Sequence, residues 1–281
     1  MALIPRSGKD ALSVFGECFG APRALVGMIH VGALPGTPSA SHSVESLIRQ
    51  AVDEARVYQD AGFTAVGIEN MHDRPYLKGG VGPEITAAMT ALAREIKRET
   101  GLVLGIQVLA AANREALAVA HASGADFVRV EGFVYAHVAD EGVIESSAGE
   151  LLRYRRSIGA DRVLIFADIK KKHAAHAITA DVTLVETAKT AEFFLADGVI
   201  VSGPTTGEAA SPDEVRDVVL AARGPVLVGS GVTVENLARF STAHGFIVGS
   251  SVKQGGVWCN ALDRDAVRAL ARAFAERSPQ E

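Results

Sequence analysis

The chain has 281 residues, 48% of them hydrophobic, with 28 glycines and 10 prolines, a length and balance that suit one α/β barrel burying a sizeable core. Its formal net charge of −5 leaves no electrostatic footprint for nucleic acid or for an anionic membrane surface. No apolar run reaches the ~18 residues of a membrane span and the first residues lack a signal-peptide core, so no membrane insertion and a cytoplasmic location are expected.

Cys18 and Cys259 show neither metal-ligand spacing nor a disulfide framework, which fits inert thiols in a reducing compartment. Ala11–Phe19 reads as a short helix ahead of the first strand, in a segment 1–23 that is expected to cap the N-terminal mouth. From Ala24 onward, short apolar runs alternate with longer periodic segments, the signature of repeated βα units and a parallel sheet. The strand runs are Ala24–Ile29, Ala65–Ile68, Val103–Val108, Phe127–Val130, Val163–Ala167, Gly198–Val201, Val226–Val228 and Phe246–Val248. Helical patterns follow them at Val44–Ala61, Pro83–Thr100, Asn113–Ser123, Ala148–Ile158, Val182–Leu195, Pro212–Ala222, Val234–Phe240 and Asp263–Arg277. Eight such units predict a single (β/α)8 TIM barrel over 24–277, with no linker or second domain.

Turns entering strands are short, as at Gly124-Ala125-Asp126 and Ala196-Asp197, whereas turns leaving strands are long. The long ones are His30–Ser43, Glu69–Gly82, Glu131–Ser147, Asp168–Asp181 and Ser202–Ser211. In this fold active sites sit on the strand-to-helix side, so the elaborated face is the functional one.

The last two strand runs end in Gly229-Ser230-Gly231 and Gly249-Ser250-Ser251. Glycine lets backbone approach a ligand, and serine hydroxyls and amides converge well on an anion, so the pair reads as one phosphate cup built from Gly229, Ser230, Gly231, Gly249 and Ser250. The other strand ends bring His30, Glu69, Gln107, Arg129, Glu131, Asp168 and Ser202 to one rim, with Asn70, Gln107 and Ser202 as substrate-loop contacts. Strand alternation predicts that Asp168 and Lys170 point the same way, as do Arg129 and Glu131, which either act in chemistry or form an ion pair inside the barrel. Clustered carboxylates could divide into acid and base, with Lys170 stabilising negative charge or forming a Schiff base. Alternatively Glu69, Glu131 and Asp168 supply oxygen ligands to Mg²⁺ or Mn²⁺, and the residues alone leave these alternatives open. Lys171, Lys172 and His173 read as a solvated loop face, and Trp258 with Cys259 as packing or subunit contact. His72, Asp73, Arg74, Tyr76 and Lys78 form a polar loop cluster with Gly79-Gly80 as its hinge.

Five stretches together resemble the BtpA/SgcQ family: Met28 to Gly36 (MIHVGALPG), Gly67 to Met71 (GIENM), Phe127 to Gly132 (FVRVEG), Ala167 to His173 (ADIKKKH) and Val228 to Thr233 (VGSGVT). The resemblance runs from about Ala24 to the last helix and implies a ribulose-phosphate-binding type of TIM barrel. The closing segment also looks like the phosphate cups of tryptophan synthase α chains and histidine-biosynthesis barrels. Asp168-x-Lys170 resembles the start of the Asp-x-Lys-x-x-Asp motif of orotidine phosphate decarboxylases, but His173 stands at its last position and that activity is not carried over.

The rim chemistry predicts an enzyme that takes a phosphorylated small molecule, a sugar phosphate or related phosphoester, through isomerase, aldolase or lyase chemistry. The family resemblance adds a non-catalytic assembly factor of photosystem I biogenesis, and a third reading is a nucleoside-processing enzyme. Whether the chain forms a homo-oligomer is open at this level.

Overall fold

The computed structural model describes residues 10–203 and 207–277. Residues 1–9 of the N-terminal segment and 204–206 of the Ser202–Ser211 connection therefore lie outside the described residues.

Eight parallel strands close into a barrel in the order β1-β11-β10-β9-β7-β4-β3-β2. They are β1 (Ala24–His30), β2 (Ala65–Glu69), β3 (Val103–Gln107), β4 (Phe127–Val130), β7 (Leu164–Ile169), β9 (Gly198–Val201), β10 (Val226–Val228) and β11 (Gly245–Val248). The three short strands β5 (His137–Ala139), β6 (Gly142–Ile144) and β8 (Ala174–Ala175) form a separate antiparallel sheet. That sheet joins the loop after β4 to the loop after β7. None of these strands stands out in the sequence, because two or three residues are too few to show a period.

The helices are α1 (Ala11–Phe19), α2 (Val44–Asp60), α3 (Pro83–Thr100), α4 (Asn113–Ser123), α5 (Ala148–Ser157), α6 (Leu184–Phe193), α7 (Pro212–Ala221) and α8 (Arg264–Ala275). Their starts are written in the chain: the side chains of Ser43, Ser211 and Asp263 accept first-turn amides, and Thr183 with Glu186 forms a capping box. The helix expected at Val234–Phe240 is instead a single 3-10 turn, Leu237–Phe240. Asn236 explains the difference. Its side-chain amide donates to the Gly231 carbonyl at 2.7 Å and accepts from the Thr233 amide at 2.8 Å, so the local side-chain bonds hold the chain in a turn. None of the helices among the described residues is long and apolar enough to cross a membrane.

Two recurrent aspartates staple helix to strand. Asp126 accepts the Leu104 amide and the Lys97 ammonium, both at 2.8 Å, and Asp197 accepts the Ile165 amide and Arg155, again both at 2.8 Å. Each satisfies a strand-edge amide while tying the preceding helix to the barrel. At the N-terminal end, Phe15 and Phe19 of α1 stack on Phe166 and Phe127, with ring centroids 6.1 and 5.6 Å apart.

Gly105 on β3 is required by this aromatic layer, since a Cβ there would collide with the Phe127 ring. Gly105→Ala is expected to cost about 1–3 kcal/mol by overpacking. A urea titration should show the midpoint falling with its slope unchanged, and an unaltered midpoint would mean the ring can move aside.

Candidate functional site

Arg129 rises from β4 at the floor of the C-terminal mouth, and Asp168 from the adjacent β7. The two form a two-point pair: Nε donates to Oδ2 at 2.7 Å and Nη2 to Oδ1 at 3.0 Å, with the Ser202 hydroxyl donating to Oδ1 at 3.2 Å. Burial alone would push the Arg129 pKa down, but the charge and hydrogen bonds of Asp168, with Glu69 and Glu131 behind them, outweigh it and hold the guanidinium ionised. The Arg129–Glu131 ion pair admitted by the sequence is not formed. Glu131 turns to Lys171 at 3.2 Å and to the Ala111 amide at 3.1 Å. Burial still raises its pKa despite Lys171.

The mouth divides into two cavities that share Glu69, Met71, Arg129 and Lys172. The first, of about 220 Å³, is lined by His30 and by both Gly/Ser turns: Gly229, Ser230 and Gly231 after β10, and Gly249, Ser250 and Ser251 after β11. The turns singled out from the sequence therefore face a common space. Gly231 adopts φ +62°, and a Cβ there would strike the backbone of Glu208 and Ala209. The Gly229 amide is spent on the barrel, donating to the Val201 carbonyl at 2.8 Å. The second cavity, of about 270 Å³, is lined by Gln107, Glu131, Lys171, Tyr76, Arg74 and Trp258, among others.

Three groups face the cavities with a polar atom unspent: Glu69 and Lys172 where the two meet, and His30 in the first. Glu69 ends β2, and among the described residues no hydrogen bond engages its carboxylate. Lys172 lines both cavities. Burial lowers its pKa, and the Arg129 charge adds to this against the opposing pull of Glu69, Asp168 and Glu131. His30 ends β1, and its Nδ1–H donates to the Trp258 carbonyl at 2.8 Å. A carbonyl only accepts, so Nε2 carries the lone pair. It lies against the Gly249 wall, where an added Cβ would come within 3.1 Å of it. Burial, only partly opposed by the Trp258 bond, pushes the His30 pKa down to about 4, so the ring is neutral at physiological pH.

Other expectations are redistributed. The extended strand ends at Ile169, and Lys170 takes φ +46°; its Nζ donates to the Thr179 carbonyl at 3.3 Å. Lys170 and Asp168 do line one space, but it is a side pocket of about 20 Å³ outside both larger cavities. The turn at Lys170 carries Lys171 and Lys172 into the mouth, so these two are not the solvated face that the charge run suggested. Asn70 is fully engaged inside the protein, donating to Asp73 at 2.8 Å and accepting the Leu109 amide at 2.7 Å, while Asp73 accepts the Leu34 amide at 2.8 Å. The Asn70–Asp73 pair therefore clamps the loops after β1, β2 and β3 to one another. Ser202 supports Asp168 and lines neither larger cavity. Gln107 does line the second cavity, and its buried Oε1 has no partner among the described residues. Trp258 is a cavity wall, with Arg74 5.1 Å over its ring and His72 4.9 Å from it. Its neighbours Gly255 and Gly256, both at positive φ, are a sequence signal for the chain reversal beside it.

For the metal alternative, among the described residues no three His, Cys, Asp or Glu side chains gather as a metal-holding group. Asp168 and Glu131 instead carry ion pairs to Arg129 and Lys171.

Comparison with known structures supports the fold. The chain is similar to (S)-3-O-geranylgeranylglyceryl phosphate synthase from Thermoplasma acidophilum, in complex with sn-glycerol-1-phosphate, at a TM-score of 0.60 and 15% identity over 95% of this chain and 99% of that one. It is also similar to thiamine phosphate pyrophosphorylase from Pyrococcus furiosus, at a TM-score of 0.53 and 18% identity over 91% and 96% of the two chains. Among curated relatives, a protein of Caenorhabditis elegans named as mitochondrial is 50% identical, over 89% of this chain and 92% of that protein. The photosystem I biogenesis protein BtpA of Synechocystis is 35% identical, over 92% of this chain and 91% of its own. Residues 21–276 match the BtpA family, and with relatives this close over nearly their full length the chain belongs to that family.

Proposed function

We propose that this protein is an enzyme acting on a phosphorylated small molecule, a sugar phosphate or related phosphoester, through acid–base chemistry of the isomerase, aldolase or lyase kind. One observation carries the reading: two Gly/Ser turns line a single cavity together with an ionised arginine, a carboxylate and a lysine without side-chain partners among the described residues, and a neutral imidazole. In this reading Ser230, Gly231, Gly249 and Ser250 hold the phosphate, and the rest of the ligand reaches the second cavity. Convergent polar groups in a concave pocket are the usual sign of a small-molecule site. The phosphorylated compounds after which two structural neighbours are named add analogy and no more.

The roles follow from what each group is free to do. Arg129, held by Asp168, is a fixed positive charge for an oxyanion forming between the cavities. Glu69 is positioned to move a proton, and His30 offers Nε2 as an acceptor. Asp168 and Glu131 serve as counter-charges rather than as acid and base, because their oxygens are taken by Arg129, Ser202, Lys171 and Ala111.

Three measurements test this. Ser250→Asp puts a carboxylate among the phosphate groups, and it should abolish the rise in melting temperature that inorganic phosphate and phosphorylated sugars give the wild type. A wild type that none of these compounds stabilises would sink the phosphate reading. With a turned-over substrate in hand, Glu69→Gln should lower kcat by roughly 10²–10⁴ with KM little changed; retained turnover would remove Glu69 from the chemistry. His30 is neutral when folded and protonates near pH 6.5 when unfolded, so the unfolded state binds the extra proton and stability falls as pH drops from 6.5 to about 4. His30→Gln should flatten that part of the stability–pH curve by an amount on the order of 3 kcal/mol, and an unchanged slope would mean that His30 is already charged in the folded protein.

A further inference from the structure

Of Lys170, Lys171, Lys172 and Lys253, on connections of the C-terminal face, three have partners. Lys170 donates to the Thr179 carbonyl at 3.3 Å, Lys171 pairs with Glu131 at 3.2 Å, and Lys253 pairs with Glu54 at 2.9 Å. Lys172 lines both cavities, and among the described residues no hydrogen bond or ion pair holds its ammonium. Its position is a product of the turn at Lys170, whose φ of +46° ends the strand and redirects the following residues into the mouth. A solvated lysine would gain nothing from such placement. A lysine meant only to neutralise the floor would stand in an ion pair, as its neighbour does.

We propose that Lys172 is an imine-forming nucleophile, and that the ligand of this site is a phosphorylated aldehyde or ketone whose carbonyl carbon lies at the junction of the two cavities. This rests on the phosphate reading above and extends it to a substrate class. The neutral Nζ adds its lone pair to the carbonyl carbon, giving a carbinolamine. Both amine hydrogens then leave with the former carbonyl oxygen as water, and a C=N bond joins Lys172 to the ligand. No oxidant, reductant or further reactant is consumed. Glu69, which lines the same two cavities, is placed to relay the proton to the departing oxygen, and Arg129 to hold that oxygen while it bears charge. The groups facing Lys172 are consistent with this use. Burial and the Arg129 charge favour its neutral form, while Glu69, Asp168 and Glu131 keep the later cationic imine from being stranded. An imine there would draw electrons from the adjacent carbon, the common requirement of aldol cleavage, dehydration and isomerisation.

The test uses pyridoxal 5′-phosphate as a phosphorylated aldehyde probe on the intact protein, with borohydride reduction and peptide mapping. One dominant adduct is expected at Lys172. It should be protected by glycerol phosphate, which carries the phosphate but no carbonyl. Its formation should reach half-maximum at a lower pH than adduct formation on a free lysine peptide, since each unit of pKa depression raises the free-amine fraction about tenfold. Adducts at the exposed Lys78 and Lys189 without one at Lys172, or a Lys172 adduct whose pH profile matches that of the free peptide, would overturn the proposal. Pyridoxal lacking the phosphate separates the two claims. If it labels Lys172 as fast as the phosphorylated probe and glycerol phosphate gives no protection, the nucleophile stands and the phosphate cup falls. Lys172→Arg, which keeps the charge, should lose the adduct while retaining the stabilisation by inorganic phosphate.

Discussion

A buried guanidinium has to be paid for, and in this barrel the pair between Arg129 and Asp168 does so across adjacent strands at the floor of the mouth. Only 8% of the Arg129 side chain and 1% of the Asp168 side chain is exposed, so the charges are worth far more to each other than a surface pair would be. Losing either partner would leave the other as an uncompensated buried charge, at about 3–5 kcal/mol. The arrangement also divides labour. Asp168 uses its oxygens on Arg129 and Ser202, which removes it from proton transfer, whereas Arg129 still borders both cavities.

Much of the remaining mouth is organised to hold loops around that floor. Asn70 and Asp73 tie the connections after three strands together through backbone amides. The small sheet of β5, β6 and β8 joins two more loops. The Trp258 carbonyl fixes the tautomer of His30 while its ring, flanked by Arg74 and His72, walls the second cavity. Polar side chains that satisfy loop backbone in this way make the rim a preformed surface, the condition under which a few charged groups keep fixed positions relative to a ligand.

Along the chain, the barrel and its paired Gly/Ser turns were legible, and the pairing of the rim charges was legible only in part. Each buried strand is a short apolar run, every helix start except that of α4 carries Ser, Thr, Asp or Pro, and the long connections fall on one face, all of them local signals. The Gly/Ser turns after β10 and β11 could be paired because the fold rule makes those two strand ends neighbours. Two errors share one cause. The segment Val234–Phe240 has helical spacing but is held in a turn by Asn236, and the alternation rule assigned Lys170 to the mouth although the strand stops one residue earlier. In the first place two local side-chain bonds, and in the second a single dihedral, overrode the period.

The sequence by itself determined the eightfold repeat, the face that carries the long connections, the paired Gly/Ser turns and the set of ionisable residues at the strand ends, because these follow from periodicity and from composition at strand termini. Only the tertiary structure decided which charges are spent and which remain free. Asp168 and Glu131 acquire their partners from residues about 40 positions away, and Lys172 enters the mouth through a backbone turn. Trp258 reaches His30 across 228 residues. A carboxylate or an ammonium looks the same along the chain whether paired or not, and pairing depends on distances that exist only once the barrel has closed.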